Sequence, residues 1–184
     1  MLTQQLTQLK AYRKDREEFA DYVLDNPNNF EQLLDTCFKF EETISYKATW
    51  ILEMVCLKNL DILFPHLERF LENLPKVYKP QAVRPMAKIC EELTLSYYSK
   101  EETPIQFVLS KKQREQLIET CFDWLITDQK VAVKAYAMQC LFLLGKEFKW
   151  IHPELKIILE KDFHHQQPAF KARARHILKN LQFQ

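Results

Sequence analysis

Apolar residues recur at spacings of three and four along most of this chain, a pattern that places them on one face of an α-helix. In the stretch AFKARARHILKNL, the apolar positions fall within one arc of about 100° on a helical projection. These positions are Phe170, Ala174, Ile177, Leu178 and Leu181. The stretch VAVKAYAMQCLFLL is instead apolar nearly all round, with Lys134 as its single charge. The pattern predicts one helix with a single covered face and another that is covered on most sides.

Prolines and capping residues set the expected ends of the helices. Pro65, Pro80, Pro153 and Pro168 stand where a first helical turn would begin. The predicted helices cover residues 3–25 with a break near 12–14, then 27–39 with an Asn cap and Pro27 in the first turn. The others cover 44–58, 65–74, 80–97, 111–126, 129–146, 153–164 and 168–182.

Three local features modify this map. Ser110, with Gln113 three residues later, predicts a capping box at the start of a helix. Pro85 lies inside a predicted helix, so we expect a kink or a late start there. The segment 97–110 is the one long insertion without a helical pattern, and it is either a linker or a binding loop with Tyr97, Tyr98 and Phe107 as anchors.

Composition narrows the fold class. The 184 residues include one glycine, and sheet proteins of this size need more glycine for turns and bulges. A hydrophobic content of 47% is enough for one sizeable core. Trp50, Trp124 and Trp150 stand at helical apolar positions or at a helix entrance, and we expect them to pack in the core or between repeats. We therefore predict a single all-α domain over residues 1–184, with an N-terminal helical cap over about 1–26.

A short basic motif repeats along the chain. The segments YKATW, VRPMA, VKAYA and FKARA each place Lys or Arg after an apolar residue and lead into a helical pattern. The basic positions are Lys47, Arg84, Lys134 and Lys171, which are 37, 50 and 37 residues apart. A period in the high thirties is typical of stacked helix pairs. A second pair of similar segments, LLDTCFKF and LIETCFDW, relates the two halves of the chain.

At these motifs the chain resembles the HEAT-like family of α-solenoids, from about Asn28 to Leu181. The resemblance implies a right-handed α-α superhelix of about four helix pairs. It also implies a structural role for the basic residue that opens each second helix. The sequence departs from the family pattern at Trp50, at Pro85 and in the 50-residue central spacing.

Charge and cysteine content bear on partners and compartment. The net charge is +1, but the part from Lys130 onward carries 10 Lys/Arg against 4 Asp/Glu. Five cysteines stand singly at apolar positions, which predicts buried free thiols in a reducing cytoplasm. No apolar run approaches the roughly 20 residues needed to span a bilayer, and the N-terminal stretch has no apolar signal core, so we expect no membrane association and no secretory signal.

Catalytic and metal-binding patterns are not found in the sequence. Loops that hold phosphate need several glycines, and Gly145 is embedded in the apolar stretch LFLLGKEF. His164 and His165 are adjacent, whereas ligand pairs on a helix are three or four residues apart. We predict no enzyme activity, no cofactor and no metal.

Two functions remain open. The first is a scaffold that binds a protein partner on the inner face of its second helices, with Lys47, Arg84, Lys88 and Lys134 as candidates. The alternative is nucleic-acid binding through a basic C-terminal face that includes Lys171 and Arg175. Because the DNA alkylpurine glycosylases are HEAT-like, the alternative would make this chain a diverged relative of those enzymes. The sequence leaves the oligomeric state open.

Overall fold

In the computed structural model, which describes residues 2–181, the apolar pattern becomes eleven α-helices. The chain divides into two compact units, one up to Ile89 and the other from Cys90, and the division falls inside helix α6. The helices are α1 (Leu2–Gln8), α2 (Arg13–Leu24), α3 (Pro27–Cys37), α4 (Ile44–Lys58), α5 (Leu67–Asn73), α6 (Pro80–Tyr97), α7 (Ile105–Val108), α8 (Lys111–Ile126), α9 (Val131–Leu144), α10 (Ile151–Asp162) and α11 (Pro168–Leu181).

The sequence map and the observed helices agree closely. The predicted bounds of α4, α6 and α8 are those observed, and the predicted break in the N-terminal helix separates α1 from α2. Position 182, the predicted end of the final helix, lies outside the described residues. Two differences stand out. Pro65 lies inside a 3-10 helix (Leu60–His66) that precedes α5. The short helix α7 forms inside the segment 97–110, for which the sequence predicted no helix.

In the first unit, the helices α1, α2 and α3 all pack on α4. The side chains at the centre of this unit are fully buried and apolar, and they include Phe30, Leu33, Ile51, Leu52 and Phe70. Because α4 is covered by several helices, eight of its residues are buried. This matches the expectation for the second helix of a repeat, which forms the inner layer of a helix pair.

In the second unit, α8 packs on α9, and α9 also contacts α10 and α11. The buried residues of α11 are Phe170, Ala174 and Ile177, so its covered face is the one that the apolar arc predicted. Helix α9 buries residues on several sides, as its nearly uniform apolar sequence indicated. The all-α class and the organisation in helix pairs are thereby confirmed.

Helix α6 begins at Pro80 and continues through Pro85, so the late start that we considered does not occur. A proline at position 85 has no N–H to donate to the carbonyl of Gln81, four residues earlier. The indole Nε1 of Trp50 donates to that carbonyl instead, at 3.1 Å. A side chain of α4 therefore replaces the backbone bond that Pro85 removes.

The predicted capping box is present at the start of α8. The Ser110 hydroxyl accepts from the Gln113 backbone N–H, and the Gln113 side chain accepts from the Ser110 backbone N–H. Within residues 2–181, no helix is both long enough and apolar enough to cross a membrane.

Candidate protein-binding surface

Lys47 and Arg84, which open the second helices of the first unit, make intramolecular contacts. The ammonium group of Lys47 donates to the carbonyl oxygens of Thr7 and Leu9, at 2.7 and 3.0 Å, where α1 ends. These carbonyls have no partner within their own helix, and a cation there also complements the helix dipole. Lys47 therefore has the structural role that the family resemblance implies.

Arg84 binds a carboxylate of the preceding second helix. Its guanidinium donates to both carboxylate oxygens of Glu53, at 3.0 and 2.6 Å, in the bidentate geometry that favours arginine over lysine. The side chain of Glu53 is only 4% exposed, whereas that of Arg84 is partly exposed. The guanidinium of Arg84 compensates the buried carboxylate of Glu53, and part of the Arg84 side chain is exposed to solvent.

The remaining candidates lie on other helices. Lys88 is half-buried on α6, and Lys171 is half-buried on α11. Lys134 on α9 is only 8% exposed, so it presents little charge to a partner. Arg175 is exposed on α11, and its guanidinium lies 5.4 Å from the centre of the Phe163 ring.

Arg173 is a contact residue that the repeat motif does not single out. Its guanidinium donates to the side-chain oxygen of Gln139 on α9 at 3.0 Å and to Glu91 on α6 at 3.3 Å. The side chain of Glu91 is almost completely buried. Arg173 thus holds together parts of three helices of the second unit. A basic residue two positions after the repeated Lys171 is the only sequence signal that could have indicated it.

Arg173 lines a groove between α9 and α11 that has a volume of about 660 Å³. Four of its lining residues are alanines, and the other four are polar or aromatic. The lining residues are Ala132, Ala135, Ala169, Ala172, Tyr136, Gln139, Arg173 and His176. Because alanine projects only a methyl group, these positions leave room between two adjacent second helices. We call this surface the α9–α11 groove.

The insertion segment 97–110 is folded against the second unit. Arg114 lies 4.5 Å from the centre of the Tyr97 ring and donates to both carboxylate oxygens of Glu147, at 3.0 and 2.9 Å. The hydroxyl of Tyr98 donates to Glu147 at 3.1 Å. Two of the three proposed anchors therefore make internal contacts, and Phe107, which is 74% exposed, remains open to solvent.

The hydrogen bonds at Glu147 affect its titration. The bond from Arg114 holds the pKa of the Glu147 carboxyl below its usual value, and the bond from Tyr98 adds to this against the opposing effect of burial. The pKa of the Tyr98 hydroxyl is raised by burial and by the negative charge of Glu147. At neutral pH the cluster therefore contains an ionised carboxylate and a neutral tyrosine.

The five cysteines are buried thiols that form no disulfide, as the sequence indicated. Burial raises the pKa of the Cys37 and Cys56 thiols, and the charge of Glu53 adds to the rise at Cys56. Such thiols are protonated at neutral pH and are poor nucleophiles. Among residues 2–181, no group of three or more His, Cys, Asp or Glu side chains could hold a metal ion.

The tryptophans differ in their surroundings. Trp124 is buried, as expected of a core residue. Trp150 is the N-cap of α10, the helix entrance that the sequence allowed, but it does not pack in the core, because 55% of its surface is exposed. Trp50 is half-buried, with the guanidinium of Arg16 5.9 Å from its ring centre.

Comparison with known families agrees with these helix pairs. The family model described as a HEAT repeat domain matches residues 2–181. The chain belongs to the HEAT repeat domain family. No curated protein and no solved structure matches this sequence. The family match covers the departures at Trp50 and Pro85, so these residues are variations within a HEAT repeat chain.

Proposed function

We propose that this HEAT repeat protein is a non-enzymatic module that binds a protein partner in the α9–α11 groove. HEAT repeats are scaffolds in which successive helix pairs present extended surfaces for binding. The observation that carries the proposal is the groove itself, in which alanines open a space between two second helices and Arg173 stands at the edge.

The chemistry of the groove suits a peptide segment better than a flat protein surface. The four alanine positions are apolar and small, so they leave room for the side chains of an extended or helical segment. Tyr136, Gln139 and His176 supply hydrogen-bonding groups along the edges. Arg173 is preorganised by its bonds to Gln139 and Glu91, which lowers the entropic cost of using it in binding.

We propose the α9–α11 groove in preference to the sequence candidates Lys47 and Arg84. Lys47 and Arg84 make the internal contacts described above, so their charges are partly satisfied within the chain.

We also propose that the protein works in a reducing compartment such as the cytoplasm. The five buried thiols support this proposal.

Site-specific photo-crosslinking tests this proposal. A photoreactive amino acid at the exposed position of Ala172 should crosslink a protein partner in native extract, whereas the same group at Lys112 on α8 should not. A second variant, Ala135→Arg, fills the groove and should abolish the crosslink.

The matched control is Ala11→Arg, which adds the same side chain at an exposed position of the first unit. Circular dichroism should show that both arginine variants keep their helices. The proposal fails if the crosslinked protein is captured equally at positions 112 and 172, or if Ala135→Arg leaves the crosslink unchanged.

A further inference from the structure

A second cleft lies beside α8, which is the first helix of its helix pair. None of the residues that line the α9–α11 groove lines this cleft. Its volume is 620 Å³. The cleft is bounded by one face of α8 and by the connection before α10. Its lining residues are Glu115, Ile118, Glu119, Phe122, Asp123, Phe148 and Trp150. We call it the α8 cleft.

The apolar part of the cleft is a pair of stacked rings. The ring centres of Phe122 and Trp150 are 5.6 Å apart, and the ring planes are inclined by 18°. More than half of the Trp150 surface is exposed, and Ile126, one turn beyond Phe122 on α8, is 61% exposed. Trp150 stacks on Phe122, and Ile126 lies one turn from Phe122, so apolar surface is exposed on both sides of that ring. Tryptophan is among the residues that most often dominate binding energy.

The charged part of the cleft is acidic. Glu115, Glu119 and Asp123 are four residues apart, so their carboxylates form a row along α8. Like charges at this spacing destabilise a helix slightly, and none of the described residues that line the cleft is basic. Across residues 2–181, none of the three carboxylates forms an ion pair within 4.0 Å. Lys149 is exposed in the adjoining connection but does not line the cleft.

We infer that the α8 cleft binds a basic segment of a partner protein. The aliphatic stem of a lysine or arginine packs on the Phe122–Trp150 pair, and its charged group lies near the ring face and the carboxylate row. The row of three charges also selects against acidic segments and speeds association with basic ones. This second surface goes beyond the proposed function, because a protein could bind in the α9–α11 groove whether or not the α8 cleft is used.

Fluorescence anisotropy with defined peptides tests the inference. The probe is a short fluorescein-labelled peptide in which arginine and lysine alternate with leucine and glycine. The comparison peptide has glutamate at every basic position. At about 50 mM salt we expect the basic peptide to bind with a Kd of roughly 10–100 µM, and the acidic peptide not to bind.

Two variants assign the binding to the cleft. Glu115→Lys/Glu119→Lys reverses two charges of the row, and we expect binding at least about tenfold weaker. Trp150→Ala removes the exposed ring, and we expect a similar loss. The matched control is Glu68→Lys/Glu72→Lys, which makes the same change at the same spacing on exposed positions of α5, and it should bind within about twofold of the unmodified protein.

Several outcomes would overturn the inference. The first is that the basic peptide does not bind at about 1 mM. The second is that the acidic peptide binds equally well. The third is that the control variant loses as much affinity as Glu115→Lys/Glu119→Lys. Analytical ultracentrifugation of the unmodified protein and of the Trp150→Ala variant can give a further outcome that overturns the inference. Self-association that Trp150→Ala abolishes would make a second copy of this chain the occupant, and a basic segment of another protein would no longer be needed.

Discussion

Trp50 is bonded to the one backbone carbonyl that Pro85 leaves without a helical donor. Proline inside a helix removes a hydrogen bond and costs about 3 kcal/mol in an ordinary context. In this chain the Gln81 carbonyl regains a donor, the indole of Trp50. The tryptophan at this motif position and the proline one repeat later therefore act as a pair.

We predict that the two residues are energetically coupled. Trp50→Phe should lower the free energy of unfolding by roughly 0.5–1 kcal/mol, because the Gln81 carbonyl then loses its donor within the protein. In a Pro85→Ala background, the new N–H at position 85 can bond to that carbonyl, so the same change should cost less. Urea unfolding of the four proteins gives the coupling energy as a double-mutant cycle. Equal costs of Trp50→Phe in both backgrounds would show that the bond does not matter.

Arg84 is predicted to be important for stability. Arg84→Ala leaves the buried Glu53 carboxylate without its partner and should lower the free energy of unfolding by about 2–4 kcal/mol. Arg13→Ala is the control, since Arg13 is bonded to Glu17 on an exposed face, and it should leave the free energy of unfolding close to that of the unmodified protein. Chemical denaturation measures both. A loss below about 1 kcal/mol for Arg84→Ala would contradict a stabilising role for this ion pair.

At the scale of elements, the segment between α6 and α8 is fixed in place by side chains of its own residues and by side chains of residues that follow it. Gln106 donates to the carbonyl of Tyr97, and the Thr103 hydroxyl donates to the carbonyl of Ser96. Ile105 and Leu109 are buried, and a short helix, α7, forms between them. Arg114 and Glu147 complete the attachment, so the insertion is an ordered part of the second unit.

The attachment should weaken in acid. The folded pKa of Glu147 is lowered, so its contribution to stability is complete above the unfolded value of about 4.3 and is lost as the pH falls through the folded pKa. Because the side chain is about one-third exposed, we expect this contribution to stay below about 1 kcal/mol.

Urea unfolding of the unmodified protein and of Glu147→Gln, between about pH 7 and pH 3.5, measures this contribution. The difference between the two proteins should shrink toward acid. Glu68→Gln, at an exposed position on α5, should show a small difference at every pH. A difference for Glu147→Gln that is independent of pH would mean that ionisation of Glu147 does not contribute.

At the scale of the whole molecule, three of the basic residues in the C-terminal part are buried or bonded within the chain. Lys134 is buried, Lys156 pairs with Glu160, and Arg173 is bonded to Glu91. The basic side chains of α11 also lie on different sides, since Arg173 contacts α9 while Arg175 contacts Phe163. A duplex backbone requires several phosphate contacts from one surface.

We therefore expect little nucleic-acid binding. Fluorescence anisotropy with labelled single- and double-stranded DNA and RNA, at about 50 and 200 mM salt, should show no binding at tens of micromolar protein. Binding that weakens steeply with salt and is lost in Lys171→Glu/Arg175→Glu would contradict this. It would then make nucleic acid the leading partner, through the C-terminal face that includes Lys171 and Arg175.

Much of the fold was determined by the sequence alone. Local signals set the helices, because apolar period, prolines and the Ser110 cap act within a few residues of one another. The apolar arc of α11 and the nearly uniform pattern of α9 were enough to indicate which faces would be covered. The repeated basic motif was enough to indicate the family.

Only the tertiary structure decided which polar groups meet. The pairs Trp50 with Gln81, Arg84 with Glu53, and Arg173 with Glu91 join residues 31 to 82 positions apart, and no local pattern encodes such distances. The two candidate surfaces depend on the same kind of information. Alanines of α9 and α11 form a groove, and Trp150 stacks on Phe122, only because helix packing brings these residues together. The helical period of a sequence shows which face of a helix a residue occupies, but it does not show what lies opposite that face.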